Sequence, residues 1–197
     1  RPTLFAHDYG TSVATEILAR REGAGVPIHL NAVTLCNGSM HIELAQLRPI
    51  QRLLAADATG DVVARLATFS TFRRNLRRIV AQPDELEDEH LRTMWEMLTR
   101  EGGRAALPLI TRYLHERRRL WHRWIGALTR LDLPCQVLWG DLDPVATAAI
   151  AHQLAAEIRF VGQEGHQHLE KMPYCCCCFV LELFVWLFAF VSLCVCL

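Results

Sequence analysis

The 197-residue chain reads as an α/β protein, a parallel sheet whose strands alternate with helices, with one long all-helical insert. Three observations predict this. A strand, a tight turn and a helix follow one another from Thr3 to Arg21. The same rhythm returns after Leu133. Between them, residues 40–132 contain no strand-like run.

Leu4, Phe5 and Ala6 are apolar, as a strand buried on both faces should be. From Thr11 the spacing turns helical, with Val13, Ile17 and Leu18 on one side, and the helix should stop before Gly23 and Gly25. Ile28 to Leu35, opened by Pro27, has the length and β-branched character of the next parallel strand. Asn37-Gly38-Ser39 sits at its C-terminal end, where open α/β sheets keep their ligands. It reads as an ordinary polar turn.

In the insert, Ile50 to Ala56 and Val62 to Phe69 are short and amphipathic. Pro83 with Asp84, Glu85, Glu87, Asp88 and Glu89 marks a helix start, since proline fits the first position and acids complement the dipole. Leu91, Met94, Trp95 and Leu98 form its stripe, and Gly102-Gly103 ends it. One long helix is expected from about Leu107 to Leu128. Arg73, Arg74, Arg77 and Arg78, and likewise Arg117-Arg118-Arg119, read as solvated helix faces, because no interleaved aromatics accompany them. The core resumes with a strand at Cys135–Gly140, an exit loop at Asp141–Val145 and a helix from about Ala146 to Ala156. A short strand at Ile158–Val161 and a polar loop from Gly162 to Glu170 complete it.

Asp8 has a small residue two positions before it, Ala6, and two after it, Gly10. That is the layout of a nucleophile elbow, in which a tight strand-to-helix turn lifts one side chain above the sheet. The following helix N-terminus favours a carboxylate there. Taken alone, Asp8 is equally a helix N-cap. Hydrolysis through an ester also needs a histidine to activate water and a second carboxylate to orient it. Asp8, Asp143 and His166 follow in that chain order, each after an expected strand.

His7-Asp8-Tyr9-Gly10 resembles the elbow of α/β-hydrolases that use aspartate: epoxide hydrolases, haloalkane dehalogenases and mesoderm-specific-transcript-like proteins. Trp139-Gly140-Asp141-Leu142-Asp143-Pro144 resembles that family's acid loop. Gly165-His166, followed by Glu170, resembles its histidine loop. The resemblance runs from Arg1 to about Pro173 and implies Asp8 as nucleophile, Asp143 as acid and His166 as base. Asp141 is then a turn residue and His168 the rival histidine. The backbone N–H of Tyr9 is the implied oxyanion donor. His7 would shape the pocket, or be a satisfied core histidine, and Tyr113, next to Arg112, would polarise an epoxide oxygen, half-buried helix packing being its equal alternative. The usual second cap tyrosine is missing, the other tyrosines being Tyr9 and Tyr174. The tryptophan that follows a dehalogenase nucleophile is replaced by Tyr9.

The implied organisation is core at 1–39, helical cap at 40–132, core at 133–173 and an apolar tail at 174–197. The chain opens almost inside a strand, so strands before the elbow are expected elsewhere, in a longer parent. Lys plus Arg and Asp plus Glu both number 21, so bulk attraction to nucleic acid is not suggested. Six of the eight cysteines lie in the tail and show no zinc-ligand spacing. Neither metal nor cofactor is expected, and a reducing, cytoplasmic setting follows. The tail, Cys175–Leu197, carries Glu182 as its one charge and is long enough to span a bilayer, which would make the protein membrane-associated; an aberrant end is the alternative. The expected function is hydrolysis of an epoxide or similar small electrophile by water. The alternatives are a haloalkane dehalogenase, an ester hydrolase, or a non-catalytic binding protein on the same fold.

Overall fold

The apolar runs become strands of one parallel sheet in the computed structural model, which describes residues 2–23, 28–80, 82–158 and 168–172. In chain order the elements are β1 (Thr3–His7), α1 (Gly10–Gly23), β2 (Ala32–Cys36), α2 (Pro49–Ala55), α3 (Gly60–Leu66), α4 (Phe69–Arg77), α5 (Asp88–Thr99), α6 (Ala106–Thr111), α7 (Tyr113–Thr129), β3 (Cys135–Gly140), α8 (Ala148–Glu157) and β4 (His168–Met172). The sheet order is β1-β2-β3-β4, with each adjacent pair parallel. His7 lies opposite Cys36, and Cys36 opposite Leu138. The residues that leave β1, β2 and β3 therefore emerge at one edge of the sheet.

The described residues divide into two units: those up to residue 46 together with those from 113 onward, and residues 47–112. In the first unit, Val33, Leu35 and Cys36 of β2 are completely buried. The core around them is built by Leu18, Val137, Trp139, Ile125, Leu128, Ile150 and Leu154. Helices α1 and α7 pack along each other. The contact is framed by ion pairs: Arg21 with Asp132, Arg130 with Glu22, and Arg123 with Glu16. Exposed pairs of this kind contribute about 0–1 kcal/mol each, so the apolar contact holds the helices together.

Two expectations about burial are corrected here. Phe5 is 59% exposed, because β1 is the outer strand among the described ones. The buried face of α1 is Thr11, Ala14, Thr15 and Leu18, and Val13 is exposed. Thr15 can be buried because its hydroxyl donates to the carbonyls of Thr11 and Ser12.

The second unit is a set of short helices. Gly60, at the start of α3, lies so close to α2 that a Cβ would stand 2.6 Å from the Leu54 carbonyl oxygen. Thr68 caps α4 by accepting from the Thr71 N–H at 3.3 Å. Arg73 and Arg77 of α4 both reach Asp88. The acid-rich start at Pro83 is a 3-10 turn, Pro83–Glu85, and α5 begins only at Asp88. The long helix expected over 107–128 is broken into α6 and α7 at Arg112. The Thr111 hydroxyl donates to the Leu107 carbonyl at 2.7 Å, competing with the helical ladder just before the break.

Near the C-terminus, Ile158 follows α8 in extended conformation. The loop expected to run to Glu170 gives way to β4 at His168, held by pairing with β3 from Gln136 onward. His166, the rest of the expected strand up to Val161, and the tail 175–197 lie outside the described residues. Among the described residues, no helix is long and apolar enough to cross a membrane.

Candidate active site

Asp8 is the first residue beyond β1, and its φ of 47° places it in the left-handed region. A non-glycine residue there is costly, by about 1–3 kcal/mol, and needs surroundings that fix it. Several contacts do so. The Asp8 N–H donates to the Cys36 carbonyl at 3.1 Å, which continues the sheet ladder by one residue. The Asp8 carbonyl accepts from the Thr11 N–H at 3.2 Å and from the Thr11 hydroxyl at 2.6 Å. The Ser12 N–H donates to the Tyr9 carbonyl at 2.9 Å. These bonds close a strand-to-helix elbow with the half-buried Asp8 at its apex and Tyr9 exposed beside it. Burial pushes the Asp8 carboxyl above the usual carboxylate range, and the nearby Arg117 guanidinium partly offsets this.

Asp143 stands on the exit loop of β3 and is buried. Its Oδ1 accepts from the Val145 and Ala146 N–H groups, each at 2.8 Å, just before α8. Its Oδ2 accepts from Asn37 Nδ2 at 2.8 Å. Burial raises its pKa; the three hydrogen bonds oppose the rise, and the Asp8 carboxylate adds to it. Asp141 is exposed on the same loop.

The Asn37-Gly38-Ser39 turn is not an ordinary polar turn. Asn37 and Ser39 are buried. Asn37, at φ 38°, accepts from the Gly140 N–H at 2.9 Å while it donates to Asp143, so it joins the exits of β2 and β3. Gly38 presses on the elbow: a Cβ there would lie 2.1 Å from the Thr11 hydroxyl oxygen. Only a residue without a side chain fits that approach.

Tyr113 begins α7 and meets Tyr9 edge to face, with ring centroids 5.3 Å apart. It shares a side-chain hydrogen bond with Ser39, and burial is the first cause of a pKa pushed up to about 12. One turn further along α7 is Arg117, which is not on the solvated face expected for it. It is 1% exposed. Its Nε donates to Ser12 Oγ at 2.7 Å, its Nη1 to Ser39 Oγ, and its Nη2 to the Asp8 carbonyl at 2.9 Å and Thr11 Oγ1 at 3.1 Å. Its Cζ lies 4.7 Å from the Tyr113 ring centroid. A signal for this was present. Tyr113, Arg117, Leu120, Trp124 and Leu128 fall on one helical stripe, so Arg117 occupies an apolar position.

The structure thus brings Asp8, Tyr9, Tyr113 and Asp143 to one edge of the sheet, with His7 among them. The His7 Nε2 is buried and, among the described residues, has no hydrogen-bond partner. Burial lowers its pKa, and Asp143 works against that. His166 cannot be placed, since it lies outside the described residues, and His168 is the first residue of β4. Among the described residues, no group of three or more His, Cys, Asp or Glu could hold a metal ion.

Comparison with known proteins follows the same lines. No family model matches the chain. It is 39% identical over 151 residues to "Putative hydrolase LipZ" of Mycobacterium tuberculosis, covering 77% of this chain and 52% of that protein. It is 27% identical over 147 residues to the mesoderm-specific transcript protein of Mus musculus, covering 74% of this chain and 44% of that protein. The chain therefore spans about half the length of the curated relatives it matches. Among solved structures, it superposes on the haloalkane dehalogenase DatA of Agrobacterium tumefaciens with a TM-score of 0.58 at 19% identity, covering 80% of this chain and 55% of that one.

Proposed function

From a chain that has the α/β-hydrolase fold, we propose a hydrolase that works through an ester on Asp8. The reading rests on one observation. A carboxylate, not a hydroxyl, occupies the left-handed apex of the elbow, and a second carboxylate is held beside it on the exit of β3. A carboxylate nucleophile suits a carbon electrophile with a strained or easily displaced leaving oxygen, so the substrate is an epoxide or a similar small electrophile.

In the first step an Asp8 carboxylate oxygen attacks a ring carbon and the carbon–oxygen bond of the epoxide breaks. The released oxygen takes a proton from Tyr113. A hydroxyl whose pKa is about 12 stays protonated at neutral pH and still protonates an alkoxide. In the second step a histidine, assigned to His166 from the sequence, removes a proton from water. The hydroxide adds to the ester carbonyl, and the Tyr9 N–H receives the oxyanion. Collapse frees the second oxygen as an alkoxide, which takes the carboxyl proton, so the diol leaves and the Asp8 carboxylate is restored; the proton the histidine took from water returns to the Tyr113 phenolate. Asp143 orients the histidine and stabilises its charged form. Three of the Asp143 lone-pair sites are already taken by fixed donors, which leaves a definite direction for the fourth.

The test is intact-mass and peptide mass spectrometry after mixing with styrene oxide. The expected result is an adduct on Asp8 that accumulates in His166→Gln and is absent in Asp8→Asn. An adduct elsewhere, or none with any epoxide or haloalkane, would favour a binding protein on the same fold.

A further inference from the structure

We propose that Arg117 is the positioning residue of the elbow: from α7 its guanidinium clamps the Asp8 main chain to three hydroxyls and sets a buried cation against the Asp8 carboxylate. The inference rests on Asp8 being the reactive carboxylate.

The geometry is specific. A buried arginine ordinarily faces a carboxylate with which it makes a bidentate pair. Here its hydrogen-bond acceptors are the hydroxyls of Ser12, Ser39 and Thr11 and the carbonyl of Asp8. Those acceptors come from the three pieces that must stay in register. They are the elbow apex, the first turn of α1 and the exit of β2. One planar fork therefore fixes the main chain at the residue with φ 47°. Ser39, held by the same guanidinium, in turn bonds the Tyr113 side chain, so the expected proton donor is oriented by the same group.

The neutral acceptors leave the positive charge uncompensated by any hydrogen-bonded anion within this set. Asp8 is the anion it acts on. That matters for the order of the chemistry. Forming the ester removes the Asp8 charge, and hydrolysing it brings the charge back. A fixed cation beside Asp8 favours the second event and offsets part of the cost that burial puts on the ionised nucleophile. The other groups that act on Asp8 or share its surroundings are Tyr113 on α7, Tyr9 on the elbow, Asp143 on the β3 exit and His7 on β1. Tyr113, with its pKa pushed up to about 12, is neutral at pH 7, and Asp143 opposes ionisation of Asp8, so Arg117 is the group that favours it.

The experiment follows the Asp8 side-chain carboxyl by carbon-13 NMR through a pH titration of the full chain, with the resonance assigned by its loss in Asp8→Asn. Amide hydrogen exchange at Thr11 and Ser12 is read on the same samples. In Arg117→Met the Asp8 midpoint should rise by about one pH unit or more, a tenfold loss of carboxylate, and both amides should exchange at least about tenfold faster. In Arg117→Lys, which keeps the charge but not the fork, the midpoint should move by less than half as much while the amides still exchange faster. An unmoved midpoint in Arg117→Met overturns the proposal, and so does unchanged exchange in both variants. If the methionine variant does not fold, the lysine variant decides: faster exchange with a nearly constant midpoint supports the proposal, and unchanged exchange overturns it. None of these readouts needs turnover. A chain that shows them but forms no ester with styrene oxide would refute the proposed hydrolysis and leave the role of Arg117 standing.

Discussion

Asp8 on the elbow after β1 and Asp143 on the loop after β3 each lie just past the end of a parallel strand, yet they are held in opposite ways. Asp8 sits at a strained left-handed apex with a cation beside it. Asp143 sits in a relaxed loop with three neutral donors on its oxygens. In both, burial raises the pKa, so burial alone does not separate the roles. What separates them is whether the oxygens are committed. Those of Asp143 are mostly used in holding β2, β3 and α8 together, as an orienting acid requires. The elbow is held through Asp8's main chain, which leaves its carboxylate available to react. Two carboxylates acquire two tasks from their surroundings, not from their chemistry.

The same substitution at the two positions gives the largest contrast. Asp8→Asn should abolish ester formation, while Asp143→Asn should keep it and slow the water step by about 10²–10⁴. Single-turnover kinetics with styrene oxide separate the two steps. Stability should move in opposite directions. The folded pKa of Asp8 lies above its unfolded value, so that side chain contributes stability below the unfolded value and loses it as pH rises through the folded one. Removing the charge in Asp8→Asn should therefore raise Tm at neutral pH, with the gain vanishing in acid. At Asp143 the amide would set an N–H₂ against either Asn37 Nδ2 or the Val145 and Ala146 N–H groups, and Asn37 cannot flip without losing its bond from Gly140. That variant should lose about 1–3 kcal/mol. Thermal scans of both variants across pH would break the comparison if they shift alike.

A smaller effect is expected midway between the two regions. Gly38→Ala forces a methyl group onto Thr11, which is tied to the Asp8 carbonyl. It should cost about 1–3 kcal/mol. It should also slow Asp8 ester formation more than it slows ester hydrolysis, because the disturbed part is the elbow. Equal slowing of both steps would mean that the two regions respond as one.

Much of this was legible in the chain. The strand runs at Thr3–His7 and Cys135–Gly140 are short, apolar and bounded by turn residues, so periodicity finds them. Asp8 and Asp143 stand out because each follows such a run within a few residues. The rest depended on tertiary contacts. Arg117 lies inside an arginine triplet that looks solvated, and only its place on the Tyr113–Trp124 stripe separates it from Arg118 and Arg119. Asn37-Gly38-Ser39 has the composition of any turn; its meaning comes from Thr11, Arg117 and Asp143, which are distant in sequence. The break of the long helix at Arg112 follows from local competition by the Thr111 hydroxyl, which a stripe of apolar residues does not report.

The proposed ester has its carbonyl carbon in Asp8, so water oxygen must enter the protein before it leaves. Single turnover with excess enzyme in ¹⁸O-water, followed by peptide mass spectrometry, tests this directly. The account predicts one heavy oxygen in the Asp8 carboxylate and unlabelled diol from the first turnover. Heavy oxygen in the diol with none in Asp8 would contradict it.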